Sequence, residues 1–107
     1  MKTVECPSFE FKIYIAGPIE EAKQILRREA LREGLCVTIE PSLYIYTGGE
    51  EQGYVVSLRN YPRFPSTVET LGARAQLLAE LLVQDTYQHS AMIVGPETTT
   101  WIAKREG

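Results

Sequence analysis

The chain reads as an α+β domain of the split βαβ, ferredoxin-like type. Three observations predict it. From Leu35 to Tyr46 apolar and polar residues alternate almost without a slip, the mark of a long strand with one face buried and one wet. Two stripes at helical spacing, Ile19-Ala22-Leu26-Ala30 and Val68-Leu71-Ala75-Leu78-Ala79-Leu82, lie on either side of it. Proline and glycine then cut the chain so that strand, helix, strand, strand, helix and strand follow in that order.

The first strand carries Phe9, Phe11, Ile13 and Ile15 on one parity, with Glu10, Lys12, Tyr14 and Ala16 between them. Gly17-Pro18 breaks it, and the first helix begins at Ile19. Glu20 and Glu21 in its first turn and Arg27, Arg28 and Arg32 toward its end complement the helix dipole, and Gly34 closes it as a left-handed cap residue. In the second strand Leu35, Val37, Ile39, Leu43 and Ile45 should pack beneath helices while Cys36, Thr38, Glu40, Ser42, Tyr44 and Tyr46 look outward. Pro41 cannot donate to a ladder, so this strand should be an edge or bulged there.

Thr47 to Gly53 reads as a long turn by composition, and Tyr54 to Asn60 as the return strand, with Val56 and Leu58 inward. Tyr61-Pro62-Arg63-Phe64-Pro65 is a stiff connector in which Phe64 is expected to plug the core under the second helix. Ser66 with Glu69 is a capping-box pattern that should start that helix. Ser90 to Val94 is a further strand, and Thr98 to Ala103 a short extra one after Gly95-Pro96. Right-handed crossovers give a four-stranded antiparallel sheet in the order 4-1-3-2, with both helices on one face and the second strand at an edge.

At 107 residues, 1–107 form one domain, long enough for a core without staples. The net charge of −3 disfavours a phosphate-backbone partner, so nucleic acid ranks below protein among partners. Cys6 and Cys36 are too few for a disulfide framework and read as reduced thiols, which places the protein in a cytoplasm. The sequence shows no signal-peptide pattern and no apolar stretch of membrane-spanning length, so no membrane partner is expected. A lone His89 and two separated cysteines offer no metal-ligand spacing, no glycine-rich phosphate loop is present, and no cofactor is expected.

The outward parity is the working surface on this reading. Tyr14, Tyr44, Tyr46 and Arg59 on the sheet, Glu50 and Glu51 at the turn, and Tyr61 and Arg63 in the connector are the candidate partner-binding residues, because tyrosine and arginine combine large contact area with polar handles. No catalytic set is evident. The expectation is therefore a non-enzymatic protein-binding module, with a homodimer through the second-strand edge within reach.

Lys12-Ile13-Tyr14-Ile15-Ala16 and Gln52-Gly53-Tyr54 resemble the first- and third-strand motifs of the RNA-recognition motif, and that resemblance implies an alternative as a single-strand nucleic-acid binder. The third-strand match departs from the family at Gln52, where a basic residue is usual, and at Val56, where an aromatic is. Ile13 to Ile19 is similar to the opening of nucleoside 2-deoxyribosyltransferases, without the later acidic nucleophile those enzymes need. Gly34 to Thr38, Tyr46 to Glu51 and Asn60 to Pro65 resemble small proteins carried by bacteriophages and prophages. That resemblance implies a phage accessory protein in the host cytoplasm, inhibiting a bacterial protein or complex such as a defence machine in the manner of an anti-CRISPR.

Overall fold

The computed structural model describes residues 1–104. Its elements are β1 (Glu10–Ala16), α1 (Ile19–Glu33), β2 (Thr38–Tyr46), β3 (Gly49–Arg59), α2 (Val68–Asp85), β4 (Ser90–Val94) and β5 (Thr99–Ala103). The sheet runs β2-β3-β1-β4-β5 with every described pairing antiparallel, which is the expected order with the extra strand added beside β4. Pro41 lies in an edge strand, where a missing N–H costs no ladder bond.

The core is a single layer between sheet and helices. Phe11, Ile13 and Ile15 of β1, Tyr54, Val56 and Leu58 of β3, and Ala91 and Ile93 of β4 meet Ala22, Ile25 and Leu26 of α1 and Ala75, Leu78, Ala79, Leu82 and Val83 of α2. At roughly 25 cal/mol per Å² of apolar surface removed from water, these side chains dominate the stability. Gly34 ends α1 at φ 76°, its N–H returning to the Ala30 carbonyl.

Four local expectations are corrected. The cap of α2 is Thr67, whose hydroxyl accepts from the Thr70 N–H at 3.1 Å; the Ser66 N–H is instead held by buried Asn60 at 2.7 Å. The turn is only Thr47-Gly48, with Gly48 at φ 96°, and Gly49 to Gln52 belong to β3. Phe64 is 58% exposed and leans on Tyr61, ring centroids 5.1 Å apart, instead of entering the core. Cys36 precedes β2 instead of lying within it, though it is exposed as its parity requires.

A fifth correction matters more for function. Leu43 and Ile45, expected beneath helices, are 49% and 74% exposed. The pairing explains it. β1 stops at the Ala16–Gly53 rung, whereas β2 and β3 pair onward through Leu43–Gln52, Tyr44–Glu51, Ile45–Glu50 and Tyr46–Gly49. The parity is kept, but past the Ser42–Gly53 rung the hairpin is a two-stranded ribbon with no third strand beside it. Its reach fits the 51 Å long axis of a molecule 29 and 25 Å across the others.

Candidate active site

The ribbon leaves the sheet where β1 turns into α1, and a cleft of about 650 Å³ opens between the two. One wall is Gly17, Pro18, Ile19 and Glu20; the other is Pro41, Ser42, Leu43, Gln52 and Gly53. Sequence explains each wall. Gly17 takes φ 124°, which side chains disfavour, and its N–H bonds the Gln52 carbonyl at 3.1 Å. Pro18 then enters α1 with no side-chain cap, leaving backbone N–H groups of the first turn without that partner. Glu20 stands at the rim with Lys23 at 2.8 Å, a hydrogen bond that lowers the Glu20 pKa and keeps it anionic.

Tyr44 fixes the second wall. Its hydroxyl accepts from the Ile15 N–H at 3.2 Å and donates to the Tyr54 carbonyl at 2.6 Å, and Ile15 and Tyr54 are themselves paired across β1 and β3. The ring reaches there by lying across Gly53. A Cβ at that position would stand 2.6 Å from the Tyr44 ring and 2.7 Å from the Ala16 Cα, and would collide with the Ile15 carbonyl. Burial raises the Tyr44 pKa, so the phenol stays protonated. Tyr54 is completely buried on the opposite face; burial pushes its pKa up to about 12. Its hydroxyl has no hydrogen-bond partner among the described residues; the Thr86 hydroxyl beside it donates to the Leu82 carbonyl at 2.6 Å.

The residues singled out from the sequence fall into three separate places. Tyr44, Tyr46, Glu50 and Glu51 share the ribbon, where the Tyr46 hydroxyl donates to Glu51 at 3.2 Å and that carboxylate raises the phenol's pKa. Tyr14 sits half-buried mid-sheet on the outer face, opposite Val55 and Met92. Arg59 is occupied by Glu10 at 3.5 Å and Thr38 at 3.4 Å. Tyr61 lies in the connector, where a hydrogen bond to Cys36 raises its pKa, and exposed Arg63 lies near Lys2 and Val4. The uncommitted, outward Tyr44 expected from parity is corrected: it is on the outer face, but half-buried with its hydroxyl spent on backbone.

The cleft's own residues were not singled out. Two signals point to them: a glycine inside a strand, Gly53, which marks close approach of another group, and a Gly-Pro entry to a helix lacking a side-chain cap. Among the described residues no cluster of three or more His, Cys, Asp or Glu could hold a metal ion, and no helix is long and apolar enough to cross a membrane.

This α+β plait with an added fifth strand is the fold of known small enzymes. A phage SAM lyase in the apo state superposes with a TM-score of 0.74 at 16% identity, covering 100% of this chain and 98% of the other. A phage SAM lyase in complex with S-methyl-5'-thioadenosine superposes with a TM-score of 0.67 at 15% identity, covering 99% and 98%. No protein-family model and no curated protein matches the sequence. At such identities the likeness establishes a shared fold. The expectation of a non-enzymatic inhibitor is corrected on this finding: both of these end-to-end matches are lyases. Both are phage proteins, in keeping with the setting that the phage resemblance implied.

Proposed function

We propose that the protein is a phage-type enzyme that breaks S-adenosylmethionine (SAM), releasing S-methyl-5'-thioadenosine. The observation that carries this reading is the end-to-end match to two phage SAM lyases, one of them holding S-methyl-5'-thioadenosine.

The cleft suits such a substrate. SAM carries a sulfonium and an ammonium, a carboxylate, and a flat adenine. Glu20 at the rim, with Lys23 on one of its two oxygens, leaves the other for a cation, while Pro18, Ile19, Pro41 and Leu43 supply apolar surface for the adenosyl part. Cleavage sends the electron pair of one carbon–sulfur bond to sulfur and cancels its positive charge. A lyase adds no water, so the pair that fills the carbon's place comes from within the departing four-carbon fragment. Charge disappears in the transition state, and apolar walls that solvate a sulfonium poorly favour that step over the ground state. The protein's task here is to hold one conformer, which alone is worth several orders of magnitude in rate.

The test is direct. Purified protein incubated with SAM should yield S-methyl-5'-thioadenosine by chromatography, and Leu43→Asp, which lays a charge on the apolar wall, should cut kcat/KM by roughly tenfold or more, the effect of about 1.4 kcal/mol. SAM recovered intact would overturn the reading.

A further inference from the structure

A two-stranded ribbon is marginal in water without a third strand or a helix against it. Past the Ser42–Gly53 rung this hairpin has neither, yet it forms one wall of the cleft. One tie is the Gly17 N–H on the Gln52 carbonyl at 3.1 Å, at the root of the ribbon; the other, further out, is Tyr44. Its side chain leaves the Tyr44–Glu51 rung, crosses the Cβ-less Gly53 and inserts its hydroxyl between the Ile15 N–H and the Tyr54 carbonyl. The strand so gripped, β1, runs one residue past Ile15 and then gives rise to the opposite wall, Gly17 to Glu20.

We infer that Tyr44 is a positioning residue of the cleft: its hydroxyl, acting with the Gly17–Gln52 backbone bond, holds the ribbon wall against the β1–α1 wall, and so tunes the fit of the substrate. The inference rests on the SAM-cleaving reading for the identity of that substrate, and on the hydrogen bonds alone for the latch. It gives Tyr44 work that a docking residue would not have, since its polar group faces backbone rather than a partner. Tyr46, two residues on, supplies the contrast: its hydroxyl bonds only Glu51, on the ribbon itself, and ties nothing to β1.

The variant Tyr44→Phe keeps the ring over Gly53 and removes only the hydroxyl, so the fold is retained. A lost hydrogen bond of ordinary strength corresponds to about a 3- to 10-fold effect. Three readings follow from it. Hydrogen exchange of the Ile15 amide should accelerate by about that factor, measured by NMR without any ligand. KM for SAM should rise by about that factor with kcat held within about twofold, and the dissociation constant for S-methyl-5'-thioadenosine should rise in parallel. Tyr46→Phe should leave all three unchanged. Unaltered Ile15 exchange in Tyr44→Phe overturns the latch. Faster exchange with KM and product affinity unmoved reduces Tyr44 to a structural residue and overturns its positioning role. A wild-type protein that neither binds nor cleaves SAM sinks the functional reading instead, and the Ile15 exchange rate then decides the latch by itself.

Discussion

The same strand pair behaves as two materials along its length. From Thr38–Ser57 to Pro41–Tyr54 it is the margin of a backed sheet, with Tyr54 and Val56 sealed beneath helices. From Leu43–Gln52 to Tyr46–Gly49 the alternation continues, but the apolar side faces water. Alternation is a property of the strand; burial is a property of what lies opposite. The backed half owes its order to apolar area, the ribbon to ladder bonds, one backbone bond from Gly17 and one phenol.

This contrast can be broken most forcefully with truncations. Leu82→Ala, at a fully buried site of α2, should cost about 2–5 kcal/mol in denaturant unfolding, the usual cost of a core cavity, whereas Ile45→Ala should stay within about 0.5 kcal/mol. An Ile45→Ala cost near that of Leu82→Ala would mean that the ribbon is covered in solution, with a second copy on the free β2 edge as the first candidate.

Alkaline titration sharpens the comparison at a smaller scale. Tyr54 of the backed half has its pKa pushed from 10 up to about 12 by burial, so the unfolded chain loses this proton first. The stability tied to it is intact below pH 10 and drains as pH climbs from 10 to 12, by about 3 kcal/mol in all. Tyr54→Phe should be more stable than wild type by about 1 kcal/mol at pH 7, since a buried unpartnered hydroxyl is removed, and the margin should widen above pH 10. Parallel pH–stability curves for the two proteins would contradict it. The smallest effect belongs to the ribbon: Tyr46→Phe removes one exposed hydrogen bond and should shift stability by no more than about 0.5 kcal/mol in the same unfolding assay.

Much of the backed half is legible in the residues. The parity of Phe11, Ile13 and Ile15, the stripes of both helices and the edge position marked by Pro41 all follow local rules, and local rules suffice where each element meets the common core. The ribbon is not legible in that way. Gly49 to Gln52 look like a turn because a strand wet on both faces has no apolar alternation to betray it. Leu43 and Ile45 look buried because nothing in their neighbourhood reports where β1 and the helices stop. Phe64 finds a partner in Tyr61 that spacing does not announce. Tyr44 points outward as parity requires; that its hydroxyl then turns back into the sheet depends on Gly53, nine residues away, lacking a side chain. The cleft is hard to read from sequence for a related reason: it is built mainly from backbone, proline and glycine rather than from recognisable acid–base pairs.

Gly53 sets a limit on what can be varied. With a backbone carbonyl, a Cα and an aromatic ring converging where any other residue would place its first carbon, a saturation library at this codon should return one viable amino acid. Its neighbours Gln52 and Glu51 are exposed and should tolerate far more, at the expense of the cleft wall in the first case and of the Tyr46 hydrogen bond in the second. Anyone reshaping this hairpin therefore has the flanks to work with and must leave its hinge point alone.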